Sequence, residues 1–268
     1  MKKRNVILAI IIAIALLAIS TGTSVLAYDS DDDNTIEARV YWVCDYIFDL
    51  IYPDLNYPDD CAASFSTMLA NEGWTTGTNE GDDDVTQSDL ESDYGVETVD
   101  LGVFAGHGNI GSLILQNDFL GTDEASYGDC SWGDGDLEWM LLMACNCLEY
   151  DDDASGLKTN GQFANSLDGI RIICGSHTTY SMISTSGYEI TERLTDYDTG
   201  GGTDDAQMVV DAWFGGSDIA NVSGRVLRAI GETYGILDND YIWGQETGPY
   251  SSSFTVDDYY YSFSYNCT

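Results

Sequence analysis

The sequence predicts a mixed α/β domain in three layers, a mostly parallel sheet covered by helices on both faces. Three observations carry that expectation. The segments 96–105 (VETVDLGVFA), 137–144 (LEWMLLMA) and 170–174 (IRIIC) are dominated by apolar residues, as strands covered on both sides require. Segments with helical spacing lie between the apolar runs, the order expected of strand–helix–strand units. No internal repeat and no long linker divides the chain.

Taken in order, Ile36 to Val43 is rich in β-formers and predicts a first strand. Cys61 to Asn71 (CAASFSTMLAN) has helical spacing and stops near Gly73. The run from Val96 to Ala105 follows as a buried strand, then a short hairpin around Ser112 to Gln116, then the strand Leu137 to Ala144. Asn160 to Leu167 predicts a helix, Ile170 to Cys174 a strand, and Tyr188 to Asp196 and Asp204 to Phe214 two helices. Val226 to Ile230 predicts the last central strand, and the Ser- and Tyr-rich tail from Tyr250 to Thr268 an edge hairpin.

Residues 1–27 describe a secretory signal peptide: Lys2, Lys3 and Arg4, an apolar run from Val6 to Ile19, and small residues before a cut after Ala27. An uncleaved N-terminal anchor is the alternative. Either places residues 28–268 outside the cytoplasm, as one domain with no further membrane contact expected. Cleavage removes three of nine Lys and Arg and none of the 46 acids, so the mature charge is −40. Nucleic acid is excluded as a partner, because its phosphates would be repelled. The acid lies in Asp runs (31–33, 82–84, 151–153), read as a solvated surface suited to salt or as candidate sites for structural Ca2+.

All seven cysteines (44, 61, 130, 145, 147, 174 and 267) follow the signal. In an oxidising compartment, three disulfides and one free thiol are expected, with the pairing open. Two N-glycosylation sequons begin at Asn221 and Asn266.

The two histidines each follow an apolar strand: FAGHG ends one at His107, and IICGSHTT ends another at His177. The strand between them in sequence ends at Cys145. If these strands are parallel neighbours, three groups able to ionise or bind metal share one rim of the sheet. Gly106 and Gly108 flank His107 and permit close approach of backbone to a ligand.

A strand ending in His-Gly, followed 38 residues later by one ending in Ala-Cys, resembles the signature of the caspase-like cysteine peptidases. That group includes caspases, legumains, gingipains and clostripain. The surrounding WGDGDLEW (Trp132 to Trp139), ACNCL and IRIICGSHT also resemble an uncharacterised family of secreted microbial proteins with that fold, over residues 95–235. The resemblance implies Cys145 as nucleophile, His107 as general base and proton donor, and the N–H groups of Gly108 and Cys145 as oxyanion hole. A peptide or protein is the implied substrate, and no cofactor is required. Cys145 is then the free thiol. Asp134, Asp136, Glu138 and His177 are candidates for the substrate pocket, where the acids would favour a basic side chain; the alternative is that Asp134 and Asp136 are turn residues beside Gly133 and Gly135, and Glu138 a strand-entry or structural acid. Two other readings remain open: a zinc site made by His107, His177 and Cys145, and a non-catalytic acidic extracellular protein on the same fold.

Overall fold

The computed structural model describes residues 35–46, 52–91, 94–116, 124–149, 166–167, 169–195, 206–221, 223–231, 234–238, 240–242 and 261–268. The signal peptide, most of the helix expected at 160–167, the first arm of the C-terminal hairpin and the Asp runs 31–33 and 151–153 lie outside them.

The strands in chain order are β1 (Glu37–Trp42), β2 (Thr75–Thr76), β3 (Glu80–Gly81), β4 (Leu101–Ala105), β5 (Gly108–Asn109), β6 (Ser112–Ile114), β7 (Glu124–Ser126), β8 (Trp139–Met143), β9 (Ile172–Ser176), β10 (Val226–Gly231) and β11 (Tyr261–Asn266). The helices are α1 (Pro58–Asn71), α2 (Gln87–Glu91), α3 (Ser186–Thr195), α4 (Val209–Asp218) and α5 (Tyr234–Leu237). Eight strands form the main sheet among the described residues, in the order β11-β10-β9-β8-β4-β1-β2, with β3 also on β1. From β9 to β2 the pairing is parallel. The expected last central strand, β10, instead runs antiparallel to β9, and β11 caps it antiparallel as the edge.

Strand alternation splits the core in two. Val103, Leu141, Met143 and Cys174 point to one face, where Phe65, Ile190 and Trp213 from α1, α3 and α4 cover them. Phe104, Met140, Leu142 and Ile173 point to the other. There the cover, among the described residues, is the three-stranded sheet β5-β6-β7, short helical turns and loops with Tyr127 and Trp132 buried beneath them. Among the described residues, the helices of ten residues or more lie on one face of the sheet.

Helix α1 starts with Pro58 and the acids Asp59 and Asp60 in its first turn, where proline costs no hydrogen bond and negative charge meets the helix dipole. It ends where Gly73 takes φ +94°. There Trp74 N–H returns to Leu69 O and Gly73 N–H to Ala70 O, so a left-handed residue closes the last turn.

The strand expected from Val96 is shorter than its apolar run. Residues Val96–Thr98 form a 3-10 turn, and β4 begins at Leu101. The cause is Glu97, whose buried carboxylate accepts the N–H groups of Gly133 (3.0 Å) and Gly135 (2.9 Å). The Trp132–Trp139 stretch is thus a structural loop. Trp132 Nε1–H donates to Leu90 O, and Gly133 at φ +91° lies where a Cβ would meet Ile170 N at 1.9 Å.

Candidate active site

The register of β4 against β8 builds the site. Ala105 pairs with Met143, and both point to the helical face. Two residues past these positions stand His107 and Cys145, at the carboxyl edge of the sheet. Both line a pocket of about 170 Å3, together with Asp54, Tyr57, Tyr180 and Met182. The sequence alone had placed these two residues at strand ends; the parallel pairing makes them neighbours.

His107 is half-buried and held from three directions. Its Nε2 lies 2.8 Å from Pro53 O. A carbonyl only accepts, so Nε2 carries the proton in the neutral ring and Nδ1 is left as the atom able to take one up. The ring packs on Tyr46 and Tyr52, with centroids 4.7 and 5.5 Å away. Its own N–H donates to the Tyr46 hydroxyl at 2.7 Å, an approach that Gly106 permits, since a Cβ there would sit 2.8 Å from that oxygen. Burial lowers the imidazole pKa from 6.5, against the opposing pull of the Pro53 carbonyl.

Cys145 is also half-buried. Tyr180 N–H donates to its Sγ at 3.2 Å, and the thiol in turn points to Tyr180 O at 3.5 Å. Tyr180 is fixed by stacking on Trp213 (5.6 Å, 11°) and by its hydroxyl donating to Ser217 Oγ at 3.0 Å. Asn146 takes φ +53°, turning the chain off the strand immediately after the thiol. No hydrogen bond links His107 to Cys145, and both line the one pocket. A Cβ on Gly108 would fall 2.6 Å from Cys145 O, so only glycine lets this backbone lie so close to the thiol's peptide.

Cys147 is a different kind of cysteine. It is fully buried, bonded to Ala144 O at 3.2 Å, and burial pushes its thiol up to about 12. Cys44 is partly exposed, but burial likewise pushes it up to about 12. All seven cysteines are free, so the three expected disulfides are not formed. Their sulfurs face local oxygens instead of each other: Cys61 that of Ile183, Cys130 that of Ser126, Cys44 the Asp59 carboxylate.

Several expected site residues lie elsewhere. Asp134, Asp136 and Glu138 precede β8 and so stand at its amino end, a strand's length from Cys145. Asp136 and Glu138 are buried, their N–H groups bonded to Glu97 O and Asp100 O. Asp134 and Asp136 thus stand in the bend and Glu138 at the strand entry, and none of the three lines the thiol pocket. His177 does not line it either. It shares the alternation of Ile173, hence the face opposite Cys145, and its N–H continues the ladder to Val226 O. The zinc reading falls with it: among the described residues, no three His, Cys, Asp or Glu come together to hold a metal, the 82–84 Asp run included. Asp82 instead accepts the N–H groups of Cys44 and Asp45.

The sequon asparagine Asn221 is buried, with no room for a glycan. Its amide bonds Ser217 O at 2.7 Å and its carbonyl accepts Ser181 N–H at 2.9 Å, anchoring the wall beside Tyr180. Asn266 is exposed on β11. Sequence reasoning missed Pro53, Tyr46 and Tyr180 and read Asn221 only as a sequon, because all four act through backbone groups or contacts distant in sequence.

This geometry, a strand-end thiol beside a strand-end imidazole on a mixed α/β sheet, defines the class to which the chain is compared. The chain belongs to the family described as a domain of unknown function, DUF6345, whose model matches residues 40–262. Among solved structures it is similar to the Arg-specific cysteine proteinase gingipain R, at 14% identity and a TM-score of 0.43. The match covers 69% of this chain and 41% of that one. No curated protein matches the sequence.

Proposed function

We propose that this chain is a secreted cysteine peptidase that cleaves peptide bonds with Cys145 and His107. The observation that supports it is the β4–β8 pairing, which brings one thiol and one imidazole to the same edge of the sheet, around one pocket. In the reaction, Cys145 Sγ adds to a peptide carbonyl and its proton passes to His107. The N–H groups of Gly108 and Cys145 receive the charge on the carbonyl oxygen. His107 then returns its proton to the leaving amine, and water hydrolyses the remaining thioester. Pro53 O orients the ring throughout, as the third partner of such a pair does. The neutral imidazole favoured by burial suits the base role at neutral pH.

Alkylation of the folded protein with iodoacetamide at pH 7, mapped by mass spectrometry, tests the site. Cys145 is expected to react first, with Cys44 and Cys147 protected as thiols, and His107→Ala is expected to slow the reaction at least tenfold. A peptide mixture then reads cleavage directly. An unreactive Cys145, or cleavage that persists in Cys145→Ala, would sink the reading and leave a non-catalytic acidic extracellular protein on this fold.

A further inference from the structure

A second concavity lies beside the thiol pocket, a groove of about 490 Å3 between α1 and the start of α3. We propose that it is a substrate subsite for a lysine or arginine side chain, on a peptide whose scissile bond sits at Cys145; the assignment rests on the peptidase reading. The same two segments wall both cavities. Pro58 and Met182 line the thiol pocket, and Asp60 and Ser184, each two residues on, line the groove. An extended peptide leaving Cys145 between these walls reaches the groove within a few residues.

The lining fits a long side chain with an apolar stem and a cationic head. Ala63, Met68 and the Tyr188 ring offer the apolar surface, and Asp60 the carboxylate. The Tyr188 hydroxyl donates to Glu192 Oε1 at 2.7 Å, which fixes the ring as a wall of the groove. No Lys or Arg lines either cavity. Tyr57, Ile183 and Tyr188 are three of the six large hydrophobic residues exposed among those described. They mark an apolar path along these walls that a bound peptide would cover. The chain's net charge of −37 attracts a basic peptide to any such path.

The test uses Cys145→Ala, which binds without cleaving, and fluorescein-labelled peptides that carry one lysine at successive positions, each matched by a norleucine counterpart. At one position lysine is expected to bind about tenfold more tightly than norleucine, a preference lost in Asp60→Asn and Tyr188→Ala and weakened by salt. Wild-type-rate alkylation of Cys145 in Asp60→Asn alone verifies that the fold is intact. Equal binding of the two peptide series at every position, or a lysine preference untouched by both substitutions, overturns the subsite. If the wild-type protein cleaves peptides without regard to lysine, the subsite fails and the peptidase stands. Lysine-selective, Asp60-dependent binding with no cleavage by the wild-type protein upholds the subsite and removes the peptidase.

Discussion

At the scale of single residues, the shape of the candidate site depends on backbone fit as much as on the Cys145 and His107 side chains. Gly108→Ala places a methyl against Cys145 O and the Ala144 side chain, at 2.6 and 2.9 Å, and backbone cannot yield as a flexible tip would. We expect a loss of about 1–3 kcal/mol in urea unfolding. Cys145 alkylation should fall with it, while a surface control such as Gly128→Ala, whose nearest neighbour is 3.5 Å away, leaves both unchanged. Tyr46→Phe removes the acceptor of His107 N–H and is expected to cost about 1–3 kcal/mol. His107 also ties stability to pH. Its folded pKa lies below 6.5, so the native state resists protonation more than the unfolded chain does. The stability it contributes is present above pH 6.5 and is lost as pH falls through the lowered value. Urea midpoints at pH 7.5 and 5.5 should therefore differ more for the native protein than for His107→Gln; an equal difference would show that His107 is not the group responsible.

At the scale of elements, the sequence announced the strands but not their ends or partners. The apolar runs in β4, β8 and β9 were legible because double burial leaves no polar alternation. His107 and Cys145 were legible because they follow such runs directly. The break at Val96–Thr98 was not, since it depends on Glu97 reaching Gly133 and Gly135, more than thirty residues away. The same blindness misplaced Asp134, Asp136 and Glu138: closeness to β8 in sequence says nothing about which end of it a residue occupies. The direction of β10 is likewise a long-range property, fixed by its pairing of Ala229 with Cys174. Helix packing was invisible for a related reason, because it rests on glycines that read as helix-weakening. Gly187 lies where a Cβ would meet Cys61 O at 2.3 Å, and Gly216 where it would meet Ile190 backbone at 2.7 Å. These contacts let α1, α3 and α4 pack closely over the sheet. Gly216→Val is thus expected to destabilise the protein by about 1–3 kcal/mol by forcing α4 from α3, as a chemical denaturation curve would record. A change within 0.5 kcal/mol would mean the helices reseat freely.

At the scale of the whole molecule, the dominant quantity is charge. Nine Lys and Arg cannot pair one-to-one with 46 acids, so the chain carries a net charge of −37 that repels itself. The buried pair of Arg171 and Asp240, joined at 2.6 Å and shared with Trp139 Nε1, belongs to the sheet's amino edge and does nothing to relieve the surface. Repulsion of this kind weakens as salt shortens the screening length from about 10 Å at 0.1 M to about 3 Å at 1 M. Thermal unfolding should therefore move upward with NaCl, by roughly 2–4 °C for each kcal/mol of repulsion relieved. Calcium separates the two readings of the acid. If the acids form only a solvated, salt-suited surface, CaCl2 and NaCl at matched ionic strength raise the midpoint alike. If millimolar calcium alone raises it, a specific site exists, and the Asp runs at 31–33 and 151–153 are where substitution to Asn should abolish the shift.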